Sequence, residues 1–466
     1  MSLLSRLLGE ERSNERLKSL VGRMIGIAIL SAIATQLTTT FFMISIAETL
    51  GGGSFIEGMA IVGMLMALEM GVQTILDYPS SVIGDWIGQR YIICCAHLCY
   101  AAAMLTISMT DSLTPLSVFA FVFVLNGIGN SQMSGSVSSW FDNNYRVVAP
   151  HDTEKKRYGV ILGNLNALFQ VAGTMALIPG GLLAGLIGRT WVFRLEAVLL
   201  LIVGLLSLRV IQDLPEVRNA RIRSKTMSGY GQLLREGLAH VARDRFLALM
   251  IVGQSVLFGT SAVWGMIYLF PMYYTYLDSD LAVSTYRTLL FWLSVVQIQR
   301  AAVWSAKLDI SRWLPRSAML MSTGSVFFVC IAAVMYFFVP VGGDPVTLYL
   351  PFTAVAVMQI PAGSIVPLIL IFAVFLVCGI FGSLFGILSQ RILLDAIPDR
   401  IRNSVYSLTP ALSTLVAVPQ VAIFGWTAQF LGFPTSMVLT GVVSLVGAVT
   451  VAEALRVRRQ TLEAAG

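Results

Sequence analysis

Charged residues are scarce in this 466-residue chain, at 12% of the sequence. A water-soluble domain usually has about 25%. Hydrophobic residues make up 56% of the chain, and the mean hydropathy is +0.79. A soluble protein cannot cover that much apolar surface, because large exposed apolar patches are rare on such proteins. The composition therefore excludes a water-soluble protein and indicates one that spans a membrane several times.

Cysteine and histidine are also too few, or too scattered, for several kinds of chemistry. The odd number of cysteines, all in apolar runs, excludes an exported disulfide framework. They are Cys94, Cys95, Cys99, Cys330 and Cys378. Only three histidines are present, and they lie far apart in the sequence. No phosphate-binding Gly-x-x-x-x-Gly-Lys-Ser/Thr loop occurs. We therefore expect no catalytic centre, no metal site, no cofactor and no ATP-driven motor.

Apolar runs dominate the remaining sequence, and twelve of them are about 20 residues or longer, enough to cross a bilayer as a helix. They lack the strict alternation of apolar and polar residues that marks a transmembrane β-barrel. We therefore predict an all-α membrane protein with twelve transmembrane helices. The predicted spans are 22–50, 55–79, 91–110, 114–140, 158–186, 190–211, 246–276, 286–306, 316–339, 365–393, 403–430 and 434–455.

The longest hydrophilic insert divides the spans into two sets of six. The predicted segments are an amphipathic N-terminal segment 1–21, a first bundle 22–211, a linker 212–245, a second bundle 246–455 and a tail 456–466. The linker is basic, and we expect it to rest on anionic membrane lipid. A nucleic-acid or protein docking site is the alternative, and we expect no nucleic-acid partner.

The distribution of basic residues predicts the orientation of the chain. If the N-terminus is cytoplasmic, all but three of the 31 Lys and Arg residues lie on the cytoplasmic side. The exceptions are Arg189, Arg194 and Arg287. Because basic residues accumulate in cytoplasmic loops, both termini are predicted to be cytoplasmic, in a plasma or inner membrane. Residues 340–364 then form a longer external loop, which either dips into the membrane or covers the outer mouth.

A loop motif follows the second span, in residues 76–90. Its spacing resembles the signature between the second and third helices of the major facilitator superfamily. The matching residues are Asp77, Pro79, Gly84, Asp85, Gly88 and Arg90. Trp86 and Gln89 depart from the pattern, which usually has Arg at both places. The resemblance implies two pseudo-symmetric six-helix bundles that open a central site to alternate faces of the membrane.

The same motif suggests a cytoplasmic gate. Asp85 can accept hydrogen bonds from the exposed amides at the start of another helix, near Asn403. Arg90 can pair with a carboxylate such as Asp142. Such contacts would hold the cytoplasmic side closed in one state and release it in the other. The alternative is a plain turn with charges at the membrane boundary.

A polar stripe lies inside the second span. Glu69, Gln73 and Asp77 are four residues apart and therefore share one helix face. Glu69 lies about 18 Å along the helix from Glu57, near the middle of the membrane. A charged carboxylate there is costly unless it is neutral, paired or facing water. Glu69 is therefore our candidate for proton coupling, and a structural carboxylate that locks two helices is an equal alternative.

Other polar and aromatic side chains at mid-depth are candidates to line a substrate cavity, because transporters place their site near the midplane. The candidates are Gln36, Gln73, Asn126, Asn130, Gln254, Trp264, Tyr268, Gln297 and Arg300. The alternatives are interhelical hydrogen bonding for the amides and a reach towards the interface for Arg300. Arg194 and Glu196 are interpreted as interface residues of the sixth span.

These observations predict a secondary active transporter for a small, amphipathic or aromatic molecule. The motif and the aromatic seventh span resemble drug and metabolite exporters of the superfamily more than its sugar porters, which suggests proton-coupled efflux. The expected partners are the substrate, protons and membrane lipids, and the expected state is a monomer. The alternatives are a proton-coupled importer, a facilitator, or a membrane sensor that no longer transports. A membrane-embedded enzyme is disfavoured by the scattered histidines.

Overall fold

The structure is a computed structural model that describes residues 15–152, 156–218, 239–340, 344–349, 356–397 and 402–465. The described residues are almost entirely helical, as long apolar segments must be where no water can satisfy the backbone. In the first half of the chain, the described residues form eight helices, numbered α1 to α8. They are α1 Glu15–Gln36, α2 Phe42–Leu50, α3 Phe55–Ile87, α4 Gln89–Ile107, α5 Leu116–Met133, α6 Ser136–Val148, α7 Lys156–Ile187 and α8 Arg189–Val210.

The described residues of the second half form eight further helices and one short sheet. The helices are α9 Arg245–Val263, α10 Leu269–Leu277, α11 Asp280–Ser305, α12 Ile310–Leu320, α13 Ser325–Phe337, α14 Ile365–Ala396, α15 Arg402–Leu431 and α16 Phe433–Ala465. A π-helical turn, Trp264–Tyr268, joins α9 to α10, and a 3-10 turn, Ala362–Ser364, precedes α14.

Among the described residues, twelve helices or helix pairs are long and apolar enough to cross a membrane. The predicted number of spans and the all-α class are therefore confirmed. The first span differs from the expected continuous run 22–50. Its helix α1 begins at Glu15, inside the predicted amphipathic segment, and a break at residues 37–41 separates it from α2. Residues 1–14 and most of the linker, 219–238, lie outside the described residues.

Local capping explains where several helices begin. The side chains of Asp244, Ser279 and Asp309 accept hydrogen bonds from the amides of Leu247, Ala282 and Ser311 respectively. Each side chain thereby satisfies one of the free N–H groups of a first helical turn. Hydrogen bonds from the hydroxyl and amide of Ser311 also lower the pKa of Asp309, which lies between two membrane spans.

The predicted external loop 340–364 contains a β-hairpin. Strands β1 Pro345–Tyr349 and β2 Ala356–Pro361 pair antiparallel, with Leu348 opposite Met358. Strand β2 packs against α10 and α11, and Met358 is buried. The loop therefore has a folded structure of its own, which the sequence did not predict.

The chain divides by packing into two units. The first comprises Met1–Phe42 and Leu68–Lys225. Within it, α4 packs on α5 and α8, and α1 packs on α7. The second comprises Met43–Ala67 and Thr226–Gly466. Its helices α15 and α16 pack on α9, and a buried apolar cluster in it includes Leu247, Met250 and Val451.

The segment Met43–Ala67, here called the outer arm, belongs to the second unit although its sequence lies between parts of the first. A Cβ on Gly63 would lie 2.8 Å from Cα of Gly425, so α3 and α15 cross there in backbone contact. The side-chain oxygen of Gln429 accepts a hydrogen bond from the Ala60 amide at 2.9 Å. These contacts fasten the arm to α15.

Candidate functional site

Glu69 lies inside the first unit, where it joins three helices through one hydrogen-bonded chain. Its side chain is 8% exposed. Nδ2 of Asn130, on α5, donates to Oε1 of Glu69 at 2.8 Å. The hydroxyl of Tyr100, on α4, donates to Oδ1 of Asn130 at 2.7 Å. The carboxyl group of α3 is thus connected to a phenol through one amide.

Asn126 completes this group, one helical turn before Asn130. Its side chain also hydrogen-bonds Glu69, while its Oδ1 is buried with no partner among the described residues. No ion pair to Glu69 occurs in that part of the chain. Two amides therefore hold the carboxyl group, and one amide oxygen beside it is available to a donor.

Glycines allow the helices to approach closely enough for these bonds. A Cβ on Gly127 would lie 2.7 Å from the carbonyl oxygen of Glu69, and one on Gly129 would lie 2.5 Å from Cε1 of Tyr100. Because only glycine lacks a Cβ, α5 can pack against α3 on one side and α4 on the other. Replacing either glycine would separate the helices at the level of Glu69.

The polar stripe continues towards the predicted cytoplasmic end of α3. The side chain of Ser134 hydrogen-bonds Asp77, and the hydroxyl of Ser80 donates to the carbonyl of Ser131 at 3.0 Å. Gln73, between Glu69 and Asp77, is half-buried. The stripe on α3 therefore faces a matching stripe on α5, with Asn126, Asn130 and Ser134 also spaced by four residues.

The residues of the predicted gate lie around the turn from α3 to α4. Helix α3 continues through Pro79 to Ile87, and Gly88 then turns the chain with a φ of 112°. A φ in this range is strained for any residue other than glycine. Gly84 is buried against Gln89, whose Oε1 would lie 2.6 Å from an added Cβ.

Arg90 and Asp142, two charged residues of the predicted gate, have local partners. Arg90 donates to the hydroxyl of Tyr91 at 2.5 Å, and Arg146 donates to Asp142 at 2.6 Å. The side chain of Asp85 lies outside the described residues, as do residues 398–401 before Asn403. The Asp85 and Arg90 contacts expected for a gate therefore stay predictions.

The remaining cavity candidates are dispersed. Gln36 ends α1, where its Cγ lies 3.1 Å from the position of a Cβ on Gly173. In the second unit Nε2 of Gln297 donates to the carbonyls of Phe375 and Leu376, at 2.7 and 3.1 Å, joining α11 to α14. Gln254 is half-buried and Arg300 is exposed. Gln36 belongs to the first unit, and Gln254, Gln297 and Arg300 belong to the second.

Trp264 and Tyr268 lie in the π-helical turn and pack inside the second unit. Trp264 contacts Phe327 with ring centroids 4.7 Å apart. The hydroxyl of Tyr268 lies 2.6 Å from Oγ of Ser436 and 2.8 Å from Oγ1 of Thr440. Tyr268 is fully buried. Both rings therefore contribute to the interior of this unit. They lie in a π-helical turn, and such turns often occur at functional positions.

We expect Tyr268→Phe to lower the stability of the protein by about 0.5–1.5 kcal/mol, since it removes the hydrogen bonds of the Tyr268 hydroxyl while Ser436 keeps Thr427 and Thr440 keeps the Ser436 carbonyl. Thermal unfolding of the purified protein in detergent measures this loss. Phe430→Leu, at a site that is 59% exposed, is the control and should unfold like the wild type. An unchanged unfolding temperature for Tyr268→Phe would contradict this role.

Glu196 is a buried carboxylate whose partner was not predicted from the sequence. It is 3% exposed, and its Oε2 accepts a hydrogen bond from the Thr38 amide at 2.9 Å. Thr38 lies in the break between α1 and α2. The signal was present in the sequence, because three consecutive threonines, 38–40, interrupt the apolar run of the first span.

Comparison with known families decides the class of this membrane protein. The family described as Major Facilitator Superfamily matches residues 24–372, about three quarters of the chain. The chain belongs to the major facilitator superfamily. The resemblance found in the loop motif is thereby confirmed, and the protein is a transporter of this superfamily. No curated protein matches its sequence.

Solved structures of the superfamily have the same fold. A mutant form of the nucleoside transporter NupG is 13% identical, with a TM-score of 0.68 over 93% of this chain and 99% of that one. A D-xylose–proton symporter is 14% identical, with a TM-score of 0.62 over 94% and 97%. A bacterial homologue of the human lysosomal transporter Spinster is 14% identical, with a TM-score of 0.65 over 96% and 98%. At these identities the likeness concerns the fold alone.

Proposed function

We propose that this superfamily member is a proton-coupled exporter of a small amphipathic or aromatic molecule, with Glu69 as the proton-coupling residue. The observation that carries the proposal is the setting of Glu69, a buried carboxyl group held by two amides and by no cation among the described residues. Such a group is stable inside a membrane when it is protonated or faces water. Alternating access would expose it to each side in turn.

The bonds around Glu69 support a change of protonation without loss of structure. Asn130 donates to Glu69 and accepts from Tyr100, so the amide stays satisfied when the carboxylate is charged. The free Oδ1 of Asn126 can accept a hydrogen bond from one of two donors beside the carboxyl group. The donor is either the protonated carboxyl group itself or a donor on the substrate. Proton and substrate would then compete for one place, as antiport requires.

Reconstitution into liposomes tests this function. Ethidium, an aromatic cation, is the first transport probe, and trapped pyranine reports the internal pH. We expect ethidium movement driven by an imposed pH gradient, with protons moving in the opposite direction. Ethidium movement that is indifferent to the gradient would reject proton coupling. If ethidium is not moved, thermal-shift screening of metabolites and other hydrophobic cations selects the next probe.

An importer or a facilitator is the second candidate, and one feature favours it. Proton antiporters of the superfamily usually carry Arg in the fourth helix, but Asn126 and Gly127 occupy that neighbourhood here. The same liposomes separate the candidates: an importer moves the probe and protons in one direction, and a facilitator moves the probe with no response to the proton gradient.

The loop from α3 to α4 is proposed as the cytoplasmic gate, with both termini cytoplasmic in a plasma or inner membrane. We expect Asp85→Asn to shift the protein towards the state that is open to the cytoplasm, because it removes an anion that stabilises a helix N-terminus. Labelling of single cysteines from each side of the membrane measures the balance. Equal labelling of the variant and the wild type would reject Asp85 as a gate residue.

A further inference from the structure

The break in the first span rests on one face of α8. Arg189, Phe193 and Glu196 lie four and three residues apart and therefore share that face. The ring of Phe41 lies 5.6 Å from Phe193 and 5.9 Å from the guanidinium carbon of Arg189. Glu196 binds the Thr38 amide at the other end of the break. The unwound segment 37–41 is thus held along its length.

Helix α7 closes the other side of the break. A Cβ on Gly180 would collide with the carbonyl oxygen of Leu37. Thr38 is 2% exposed and Phe41 is fully buried. Because the Thr38 amide has left the regular helix in a dry place, it needs an acceptor, and Glu196 supplies it. The break in the helix is therefore stabilised by specific contacts with α7 and α8.

The same break lies where the chain passes between the two units. The first unit ends at Phe42, and the outer arm begins at Met43. The arm returns to the first unit between Ala67 and Leu68, beside Glu69. Each crossing point thus adjoins one of two buried carboxyl groups. The first crossing lies directly after the break, at the start of α2, and the second lies within the continuous helix α3.

The two halves of the outer arm pack closely against each other. A Cβ on Gly58 would collide with the carbonyl of Ala47, so its two halves pack backbone to backbone. Phe55 contacts Phe433 with centroids 6.4 Å apart, in addition to the crossing at Gly63. The arm packs with the second unit and is joined to the first through two connections, and of these the one at residues 37–41 lacks regular helix. A change in the angle between α1 and the arm is therefore most easily absorbed there. Hinges of this kind are a few residues at the ends of helices.

We propose that Glu196 is a positioning residue for transport, and that its bond to the Thr38 amide sets the angle of a hinge at residues 37–41 on which the outer arm turns. This inference rests on the alternating access in the proposed function. It assigns Glu196 no proton and no substrate. The acceptor oxygen is what matters, so Gln can replace Glu, whereas Ala cannot.

Spin labels on each side of the break test the hinge without substrate or proton gradient. Leu30, on α1, and Ile56, in the outer arm, are both exposed at 42% and 41%. With these two positions labelled in a cysteine-free background in nanodiscs, pulsed electron resonance gives the distribution of distances between them. We expect Glu196→Ala to change the ratio of populations by about ten-fold, the effect of losing one buried hydrogen bond. We expect Glu196→Gln to stay close to the wild type.

Ser31→Ala is the matched control. It removes a buried hydrogen bond of α1, from Ser31 to His97 at 2.9 Å, seven residues before Thr38. A merely structural role for Glu196 would lower stability without moving the distances, as Ser31→Ala should. A Glu196→Ala distribution equal to that of the wild type would overturn the proposal.

Gly180→Ala covers the case in which Glu196→Ala does not fold. The added Cβ displaces the Leu37 carbonyl and should also shift the distances between the two spin labels. An unshifted distribution of these distances would reject the hinge. Because neither measurement depends on coupling, proton coupling at Glu69 can fail while the hinge holds, and the reverse.

Discussion

Glu69→Gln is expected to abolish ethidium accumulation driven by a proton gradient while exchange of ethidium across the membrane stays measurable. Gln has the shape of Glu but cannot release a proton, so the transport cycle loses its link to the gradient. Its side-chain oxygen can still accept from Nδ2 of Asn130, which now holds Glu69 at 2.8 Å. The fold around α3, α4 and α5 should therefore persist. Gradient-driven and exchange fluxes in liposomes measure the two effects separately.

Glu57→Gln is the matched control for this experiment. Glu57 lies on the same helix, three turns before Glu69, and is exposed. The same chemical change there should leave gradient-driven accumulation intact. Loss of both fluxes in Glu69→Gln would indicate a structural carboxyl group that locks three helices. Full gradient-driven accumulation in the variant would remove Glu69 from the coupling mechanism.

The sequence predicted the fold because membrane spans leave a one-dimensional signal. Runs of apolar residues gave the number of helices, and Asp77, Gly84 and Gly88 pointed to the family. The four-residue spacing of Glu69, Gln73 and Asp77 placed them on one face. The structure adds that this face meets Asn130 and Ser134 on α5, a pairing that depends on which helices are neighbours.

The break in the first span was not predicted, because hydropathy does not register a local interruption. Averaged over 20 residues, 22–50 is simply apolar, and the three threonines at 38–40 barely change the mean. Whether they unwind the helix depends on an acceptor that lies 158 residues away in Glu196. Tyr268 and Trp264 were expected to line a cavity because they are aromatic and deep. Their packing against Ser436 and Phe327 is a tertiary fact that spacing along one helix cannot reveal.

The second large effect is expected where α3 crosses α15. A Cβ on Gly63 would lie 2.8 Å from Cα of Gly425 and 3.0 Å from the carbonyl oxygen of Val421. Both are backbone atoms, so no side chain can turn away and the helices must separate. We expect Gly63→Ala to lower stability by about 1–3 kcal/mol, the usual cost of overpacking. Thermal unfolding in detergent and gradient-driven flux measure the consequence.

Gly71→Ala is the opposite case on the same helix. No atom lies within 4 Å of a Cβ at Gly71, so the change should raise stability by up to about 1 kcal/mol through helix propensity alone. Gly425→Ala should act like Gly63→Ala, since its Cβ would lie 2.7 Å from Cα of Gly63. The double variant should lose less than the sum of the two, because the first Cβ already separates the helices that the second would meet. Additive losses, or a Gly63→Ala protein as stable as Gly71→Ala, would show that the outer arm is not fastened at this crossing.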